Sequence, residues 1–568
     1  MMIRIYAFAT LTLIFSTLCS MAEAKTELTT AIVFTNSTPN NLEVSISGSA
    51  QYQQPTTHIK PLSTATLAHI TREDGNNSDL SIQLSCDNYQ LTLTQQTQGT
   101  DLTFGASAEG LEIEPQDSPD IQRHNIVLAG AKNQLAFNGN DLDDGGQITY
   151  VLQKEDDKPA LGGANQFNIL SYNIWATSIY GSKSVDSRLS EMPEVMSGYD
   201  VLVLTEVFDD WPTNKLIQQL REEYPYQSNE IFKFGKFLDS GTRIISRWPF
   251  EIQDHLEYKA CHGLQCAATR GVIHARINKH GRIYHIFATH TQSSDDEDNR
   301  NARLEQLQEM GDFIRSSSIV ANEPVIMAGD FNVNKIKLPE DRDYLENALS
   351  AMEPENRGHH LSYDSDSNSW AEKPYKEYLD YTLYSNTHLE PVSSYQEVFA
   401  PRHTKDALWG KWDLSDHYAV RGIFTFPNNI GPPRTDFPFF GDVVHLKTHE
   451  GYFMRAMCGG DSFVSAGSSQ VGTWESFTFE ELDNGKVAIK ANDGHYVGLS
   501  CYFLGILKAN YHTPEAAAQF ELTILDNNKL AIRADNNKFL RADFGGGLGL
   551  SAGSNYIYKN QLFEVIRP

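Results

Sequence analysis

The segment 325–334 constrains the fold of this chain more than any other. It begins with an apolar run, residues 325–328, that predicts a buried strand, and Gly329 leads from that run to Asp330 and Asn332. Residues i and i+2 of a strand share a face, so a carboxylate and a carboxamide should project together from the strand end. This pair suits a hydrated cation or a phosphate oxygen, although Asp-x-Asn after a strand often only forms a turn.

Further predicted strands end or begin at polar residues of the same kinds. These residues are Asn173, Glu206, His290, Asp380, Asp416 and His417. Any one of them alone could be a hydrogen-bonded structural group. Together, within one segment, they are the residue types that a metal-assisted phosphoester site needs, so the sequence predicts a single shared site.

The order of these residues resembles the DNase I-like phosphodiesterase superfamily of nucleases, inositol-phosphate phosphatases and neutral sphingomyelinases. Finer motifs resemble its bacterial neutral sphingomyelinase C branch. They are Gly-Thr-Arg-Ile-Ile-Ser-Arg-Trp-Pro at 241–249, Cys-His-Gly-Leu-Gln-Cys at 261–266, Ala-Thr-His-Thr-Gln at 288–292, Gly-Asp-Phe-Asn-Val-Asn-Lys at 329–335, Glu-Tyr-Leu-Asp-Tyr at 377–381 and Ser-Asp-His-Tyr at 415–418. The resemblance covers residues 165–428 and implies an αββα sandwich that hydrolyses sphingomyelin to ceramide and phosphocholine.

The resemblance also implies a divalent cation. Glu206 is expected to be its principal ligand, with Asn173 beside it and Asp416 as a further ligand. Mg²⁺ fits this set because it prefers oxygen ligands and keeps several waters, so that one or two carboxylates suffice. Mn²⁺ and Co²⁺ are the alternatives.

The remaining polar residues take catalytic roles by the same resemblance. His417 is expected to be the general base, since the ordinary pKa of histidine lies near neutral pH, and Asp330 is expected to orient it. Asn332 is expected to contact the phosphate or the attacking water. His290, partnered by Asp380, is expected to stabilise the phosphate and assist the leaving oxygen. Which histidine donates a proton and which accepts one does not follow from the sequence.

Two tryptophans precede the Asp-His pair, at Trp409 and Trp412. In relatives an aromatic hairpin in this region enters the membrane, and Trp suits that interface because it is apolar with one polar end. The alternative is that both rings pack beneath the site. The expected partner is a membrane surface containing sphingomyelin, and the expected state is a monomer.

Composition narrows the class of substrate. The chain has 568 residues, which predicts several domains, and a formal net charge of −27. Binding of nucleic acid depends on Lys and Arg, so no nucleic-acid partner is expected.

Residues 1–24 have the pattern of a secretory signal rather than of a membrane span, which predicts a secreted protein. A secreted nuclease, a broader phospholipase C and a non-catalytic adhesin remain as alternatives.

Export permits disulfides. Cys261 and Cys266 flank a short loop and are the expected pair, the alternative being two reduced thiols. The fates of Cys86, Cys458 and Cys501 stay open.

Two further domains are predicted around the central one. Residues 25–160 show short alternating runs that predict an antiparallel β-sandwich. Residues 429–440 read as a linker. In residues 441–568, Phe453, Tyr496 and Phe539 recur every 43 residues, as do Phe477, Phe520 and Phe563. Three such units predict a β-trefoil that resembles the fascin-like branch. Its ligand, a carbohydrate or another surface group, is not identified by the sequence. Helices are predicted at 187–196, 215–223 and 303–315.

Overall fold

The structure is a computed structural model that describes most of the chain. The described residues are 27–86, 89–155, 158–177, 181–208, 210–232, 235–317, 319–428, 439–501, 504–525, 529–555 and 557–568. The predicted signal segment and nearly all of the predicted linker lie outside them. The chain divides into two compact units, Met1–Lys154 and Glu155–Pro568. Among the described residues, no helix has the length and apolar character needed to cross a bilayer.

The described part of the first unit is built from strands. They are β1 Glu27–Ser37, β2 Leu42–Gly48, β3 Gln51–Gln53, β4 His58–Ile59, β5 Ser63–Glu73, β6 Asn77–Cys86, β7 Tyr89–Gln98, β8 Asp101–Ala108, β9 Leu111–Gln116, β10 Gln122–Leu128, β11 Ala131–Asn140 and β12 Gln147–Lys154. They form two six-stranded sheets, ordered β10-β11-β12-β1-β5-β3 and β4-β2-β6-β7-β8-β9. Inward-facing residues such as Phe34, Ile82 and Phe104 are fully buried in one core.

One pairing in this unit departs from the predicted antiparallel arrangement. β1 runs antiparallel to β5 but parallel to β12, with Ala31 opposite Gln147 and Ser37 opposite Gln153. The alternation of side chains is the same in parallel and antiparallel strands. The sequence pattern therefore identified the strands without fixing the direction of this pair.

The second unit begins with an α/β segment. Its strands are β13 Gln166–Ala176, β14 Val201–Val207, β15 Tyr226–Gln227, β16 Arg243–Ser246, β17 Phe250–Glu257, β18 Gly271–Lys279, β19 Arg282–His290, β20 Val325–Asp330, β21 Ala351–Met352, β22 Glu355–Gly358, β23 Tyr363–Asp364, β24 Lys376–Glu377, β25 Asp380–Ser385, β26 Ser393–Phe399 and β27 Ala419–Thr425. Its helices are α1 Val185–Leu189, α2 Met192–Met196, α3 Asp210–Leu220, α4 Glu297–Ser316 and α5 Pro339–Leu349.

Two large sheets of this segment face each other. Their orders are β15-β16-β14-β13-β27-β26-β22 and β17-β18-β19-β20-β25-β21. Ile169 and Val203 of the first sheet share a core with Ile286 of the second. The outer face of the first sheet packs on α1, α2 and α3, and Phe313 of α4 contacts Phe287 on the outer face of the second. The layers follow the order helices, sheet, sheet, helices, which is the order that the resemblance implies.

The helices agree with the predictions in position but not in extent. The helix predicted at 187–196 is two short helices, because Pro193 has no N–H to donate to Leu189 and its ring would clash with that carbonyl. The helix predicted at 303–315 begins earlier, after Asp296, whose side chain accepts a hydrogen bond from the Asn299 N–H and caps the helix. α5 was not predicted.

The rest of the second unit is built from short strands. They are β28 Val443–Thr448, β29 Phe453–Ala456, β30 Ser462–Ser468, β31 Phe477–Glu481, β32 Val487–Ala491, β33 Tyr496–Cys501, β34 Ile506–Tyr511, β35 Glu521–Ile524, β36 Lys529–Arg533, β37 Phe539–Ala542, β38 Leu550–Ser554 and β39 Phe563–Ile566. They join in one twelve-stranded sheet with additional β29–β28 and β34–β38 pairings.

The 43-residue period is visible in the core of this sheet. Phe477, Phe520 and Phe563 are each no more than 1% exposed, and they lie in one apolar cluster with buried alanines that recur at the same period. Each repeat contributes four strands, and the repeats bury their apolar faces against one another. This is the packing that the period predicts.

A buried ion pair joins the two central sheets at the ends of their strands. Lys279, at the end of β18, lies 2.8 Å from Asp200, just before β14, and both side chains are fully buried. Asp200 also accepts hydrogen bonds from the Asn168 N–H and the Trp248 indole N–H. These donors offset the cost of burying the carboxylate.

A chain of buried polar groups lies on the outer face of the second sheet. The His274 and His285 rings are joined by a 2.9 Å hydrogen bond, and His285 lies 2.7 Å from Glu323. His274 also stacks on Phe287 at 4.3 Å. Burial lowers the pKa of His274 well below the ordinary value, and burial also lowers that of His285 despite the attraction of Glu323.

These histidines make stability depend on pH. Below about pH 6.5 the unfolded chain binds protons that the folded chain does not, so the free energy of unfolding should fall as the pH drops through this range. His274→Phe keeps a ring on Phe287 but cannot titrate, so the loss between about pH 7 and about pH 5.5 should be smaller. Urea titrations followed by tryptophan fluorescence measure this, because six of the seven tryptophans lie within residues 175–412. If the wild type and His274→Phe lost the same free energy of unfolding over this pH range, His274 would not be a source of the pH dependence.

Candidate functional site

The predicted polar residues meet at one edge of the paired sheets. β13 and β14 run parallel, as do β19 and β20, so their carboxyl ends lie side by side. β25 and β27 run antiparallel to those neighbours, so their first residues lie at the same edge. Asn173, Glu206, His290 and Asp330 therefore come from strand ends, and Asp380 comes from a strand beginning.

The side chain of Asn173 connects the two sheets. It is 1% exposed, and its amide nitrogen donates to Glu206 Oε1 at 3.2 Å and to Asp330 Oδ2 at 3.1 Å. Its amide oxygen accepts from the Trp175 N–H at 3.1 Å, which fixes the orientation of the amide. Asn173 thus turns a donor, not an oxygen, toward the carboxylates. This arrangement differs from the predicted role of Asn173 as a metal ligand.

Asp330 lies between the two predicted catalytic histidines. Its Oδ2 atom is 3.5 Å from His290 Nε2 and 3.9 Å from His417 Nε2. Its Oδ1 atom accepts from the Asn332 N–H at 3.0 Å, and the Asn332 amide donates to the Thr291 carbonyl at 3.2 Å. The two residues of the Asp-x-Asn motif therefore hold each other in place.

The predicted pairing of the histidines with the carboxylates is wrong. Asp380 was expected beside His290, and Asp330 beside His417. In the structure His417 Nδ1 lies 2.8 Å from Asp380 Oδ2, and His290 is the histidine nearer to Asp330. The reason is geometric: β25 lies beside β20 and packs against β27 of the other sheet, whereas β19, which ends at His290, lies on the opposite side of β20. His290 Nδ1 is buried without a hydrogen-bond partner among the described residues.

Burial and mutual repulsion set the protonation of the carboxylates. Burial, together with the charge of Asp380, raises the pKa of Asp330 to about 7. Burial raises the pKa of Asp416 to about 6, and Glu206 contributes to that rise. The pKa of Glu206 is also raised, chiefly by burial. A cluster that disfavours its own negative charge in this way would be stabilised by a bound cation.

The two histidines are shifted in opposite directions. Burial alone would lower the pKa of His417, but Asp380, Asp330 and Asp416 raise it well above the ordinary value. Burial and the nearby Arg270 guanidinium lower the pKa of His290 well below it. Environments that shift the pKa values of two like groups in opposite directions are characteristic of acid–base sites.

The donor set fits a divalent cation. Oxygen atoms of Asp330 and Asp380 and a nitrogen of His417 lie within 4.8 Å of one another. His417 Nδ1 and Asp380 are already joined by a hydrogen bond, so we do not count these two residues as ligands of the cation. The carboxylates left to face a cation are Glu206, Asp416 and Asp330, which are the hard oxygen ligands that Mg²⁺ prefers.

These groups lie in an open cleft of about 850 Å³. Six of the eight predicted residues line it, namely Glu206, His290, Asp330, Asn332, Asp416 and His417. Asn173 and Asp380 lie beneath its floor. The rest of the lining includes acidic and aromatic residues, namely Trp175, Asp295, Asp296, Tyr363, Glu372, Tyr375 and Glu377. Sequence reasoning assigned no role to these residues.

The backbone of the cleft is strained. Trp175, Glu206, Ser294 and Asn332 line it, and their φ angles are 48°, 58°, 75° and 50°. Non-glycine residues adopt this left-handed conformation rarely, at a cost of about 1–3 kcal/mol each. Such strain occurs where the surrounding structure holds a functional side chain in one direction.

Arg270 is a site residue that the sequence reasoning missed. Its guanidinium donates to the carbonyls of His290 at 3.1 Å and Thr291 at 2.6 Å, and to Gln265 at 2.8 Å. It therefore fixes the chain on which His290 stands. The motif that carries the resemblance continues into Thr269-Arg270-Gly271, which was the available signal.

Of the two tryptophans expected at the membrane, Trp412 is buried and Trp409 is partly exposed. Trp412 is only 5% exposed, Trp409 is half-buried, and their rings meet edge to face at 4.9 Å. Neither lines the cleft. The prediction is wrong for Trp412, because its ring is packed inside the domain, which was the alternative considered.

The expected disulfide is confirmed. Cys261 and Cys266 are bonded, with their Cα atoms 5.4 Å apart. The loop that they close includes Leu264 and Gln265, which line the cleft. Cys86 and Cys458 are free thiols.

Comparisons with known proteins find a matching family profile, relatives and a similar solved structure. The profile of the Endonuclease/Exonuclease/phosphatase family matches residues 167–417. A phospholipase C of Staphylococcus aureus is 30% identical over 287 residues, covering 44% of this chain and 86% of that protein. A sphingomyelinase C of Listeria ivanovii is 30% identical over 292 residues, covering 45% and 86%. A crystal structure of a beta toxin from Staphylococcus aureus aligns at 27% identity with a TM-score of 0.43, covering 45% of this chain and 99% of that one.

The glycine before Asp330 provides a test of the site geometry. Gly329 has a φ of 141°, and a Cβ added there would lie 2.0 Å from the Thr289 carbonyl oxygen. Gly329→Ala should therefore displace Asp330 and destabilise the protein by more than about 1 kcal/mol. Gly410→Ala is the matched control, because Gly410 also has a positive φ, of 82°, but its Cβ would meet nothing within 4 Å. Urea denaturation of both variants measures the difference, and equal losses would contradict the argument.

Proposed function

Because the chain belongs to the Endonuclease/Exonuclease/phosphatase family, we propose that it is a metal-dependent sphingomyelin phosphodiesterase. It would hydrolyse sphingomyelin to ceramide and phosphocholine by in-line attack of water. The observation that carries the proposal is the His417–Asp380 pair at the floor of a cleft lined by Glu206, Asp330 and Asp416. The relatives named sphingomyelinase C support the choice of lipid.

Three carboxylates of the cleft would hold the cation. Glu206 and Asp416 face the cleft, with Asp330 beside them, and Asn173 bridges Glu206 and Asp330 through its two hydrogen bonds. We assign Mg²⁺ as the cation, with Mn²⁺ and Co²⁺ as alternatives. A bound divalent ion supplies positive charge for the phosphate oxygens and for the charge that develops during attack.

His417 is the proposed general base. Asp380 holds its Nδ1 atom at 2.8 Å, which leaves Nε2 for a water in the cleft. The charges of Asp330 and Asp416 contribute to the raised pKa of His417. A cation bound to those carboxylates would offset their charge and favour the neutral ring that takes the proton of the water. Positioning of a base by a carboxylate on its far nitrogen is a recurrent catalytic arrangement. The charge of Asp380 also stabilises the imidazolium that the proton transfer forms.

His290 is proposed to act on the phosphate and the leaving oxygen. The pKa of His290 is lowered well below the ordinary value by burial and by Arg270, so the ring is neutral at neutral pH. A neutral ring donates a hydrogen bond without adding charge. Asn332 lines the cleft, where its amide donates to the Thr291 carbonyl, and it is proposed to contact the phosphate or the water.

A phospholipase C that also accepts phosphatidylcholine is the second candidate. The relative from Staphylococcus aureus is named phospholipase C, and sphingomyelin and phosphatidylcholine share the phosphocholine group. The nuclease alternative is less well supported, since the cleft lining has seven carboxylates but only Arg270 and Lys337 as Lys or Arg residues, and nucleic acid is bound through Lys and Arg.

The proposal extends to the rest of the chain. We infer secretion from the pattern of residues 1–24. We infer that residues 441–568 form a β-trefoil from their three repeats of four strands with a 43-residue period. Its ligand is not assigned.

One assay separates the candidates. Purified protein is incubated with sphingomyelin vesicles, phosphatidylcholine vesicles and plasmid DNA, each with Mg²⁺ or with EDTA, and phosphocholine release and DNA nicking are measured. We expect metal-dependent release from sphingomyelin. Release from both lipids supports the broader phospholipase C, nicking alone supports a nuclease, and inactivity toward all three supports the adhesin alternative.

Variants of the site test the assigned roles. Glu206→Gln and His417→Ala should each lose at least about 10³-fold in turnover, or ~4 kcal/mol of transition-state stabilisation, while remaining folded by circular dichroism. His255→Ala and Glu355→Gln are controls at exposed positions outside the cleft. Near-normal turnover of either site variant would remove that residue from its role.

A double-mutant cycle tests the corrected pairing. Since Asp380 acts through His417, the effects of Asp380→Asn and His417→Ala on turnover should be strongly non-additive. The effects of Asp380→Asn and His290→Ala should be closer to additive. The reverse pattern would restore the pairing expected from the sequence.

A further inference from the structure

An exposed apolar surface adjoins the catalytic cleft. It consists of Phe232, Phe237 and Leu264, whose exposed fractions are 68%, 90% and 89%. Leu264 is the member that also lines the cleft. We call these three residues the apolar rim. Isolated apolar side chains on a surface need no explanation, but these three stand on two loops that are joined to each other beside the site.

Hydrogen bonds hold the two loops together. The N–H groups of Phe237 and Leu238 donate to the Ala267 carbonyl at 2.9 Å and 3.4 Å, and the Thr269 N–H donates to the Leu238 carbonyl at 3.0 Å. The Lys236 ammonium also donates to the Cys266 carbonyl. The exposure of Phe237 is thus imposed by a paired backbone.

Each loop is also closed at its own base. The Ser240 N–H donates to the Ile231 carbonyl, and the Ile231 N–H donates to the Ser240 hydroxyl. Phe232 and Phe237 lie between these two residues, in the loop that the hydrogen bonds close. The Cys261–Cys266 disulfide closes the loop that carries Leu264. A backbone held in this way at Phe237 and Leu264 loses little conformational freedom when those side chains enter an apolar phase.

We propose that the apolar rim is the surface by which this protein docks on a zwitterionic phospholipid membrane. The inference rests on the proposed function, because a lipid phosphodiester reaches the cleft floor only if the cleft mouth lies against the bilayer. The rim borders that mouth through Leu264. It also takes the role first expected of Trp409 and Trp412, whose rings are packed together in the domain.

The charge of the protein favours a zwitterionic surface over an anionic one. The net charge is −27, and the cleft lining carries seven carboxylates, among them Asp295, Asp296 and Glu372, against Arg270 and Lys337. Anionic lipids would repel this face, since attraction to them requires Lys and Arg. Insertion of apolar side chains into a phosphocholine surface needs no net attraction of charges.

Binding is tested on the full-length protein with vesicles of phosphatidylcholine and sphingomyelin in EDTA, so that no turnover occurs. Phe237→Ser should lower the vesicle-bound fraction about tenfold in a flotation assay. Val392→Ser is the matched control. Val392 is 66% exposed, and its N–H pairs with Thr425 at the end of β27 remote from His417. Unchanged binding of Phe237→Ser, or binding by the wild type only after anionic phosphatidylglycerol is added, would overturn the proposal.

Turnover then separates docking from catalysis. With Mg²⁺ present, Phe237→Ser should lose about tenfold on vesicles but less than about twofold on a water-soluble short-chain sphingomyelin. An equal loss on both substrates would overturn the docking role. A wild-type protein that binds vesicles but hydrolyses neither substrate refutes the proposed function and not the docking surface. One that hydrolyses the soluble substrate but binds no vesicle refutes only the docking surface.

Discussion

The carboxamide of Asn173 is the contact on which the arrangement of the site depends. Glu206 stands on the first central sheet and Asp330 on the second, and two carboxylates so close would repel each other. One amide nitrogen donates to both, so the repulsion is offset at the point where the sheets meet. The Trp175 N–H keeps that nitrogen pointing inward. The Asn173 amide thus both offsets the repulsion between the carboxylates and joins the two sheets.

The opposite end of the same sheets is joined by different chemistry. Lys279 and Asp200 form a fully buried ion pair there, and Asp200 accepts two further hydrogen bonds. Between the two ends, the core is apolar, with Ile169, Val203 and Ile286 packed together. The apolar layer supplies the stability, whereas the two polar ends fix the register of one sheet on the other. A cleft whose two walls come from different sheets needs that register to be fixed.

The sequence allowed the membership of the site to be predicted better than its internal contacts. Strand-end positions follow from alternation and apolar runs, which is why Glu206, Asp330 and His417 were expected at one edge. Which carboxylate pairs with which histidine depends on how β20, β25 and β27 lie beside one another, and no local pattern encodes that. The positive φ angles of Glu206 and Asn332 were equally hidden, because tertiary contacts impose them on residues that do not prefer them.

The parallel neighbours β1 and β12 have a consequence for how the first unit is made. β12 lies between β1 and β11 in its sheet, yet it is the last strand of that unit to leave the ribosome. Until about residue 154 has emerged, the hairpin β10–β11 has no strand through which to join β1 and β5. The nascent chain must therefore hold two unjoined pieces of one sheet, and its assembly is completed by a single late insertion.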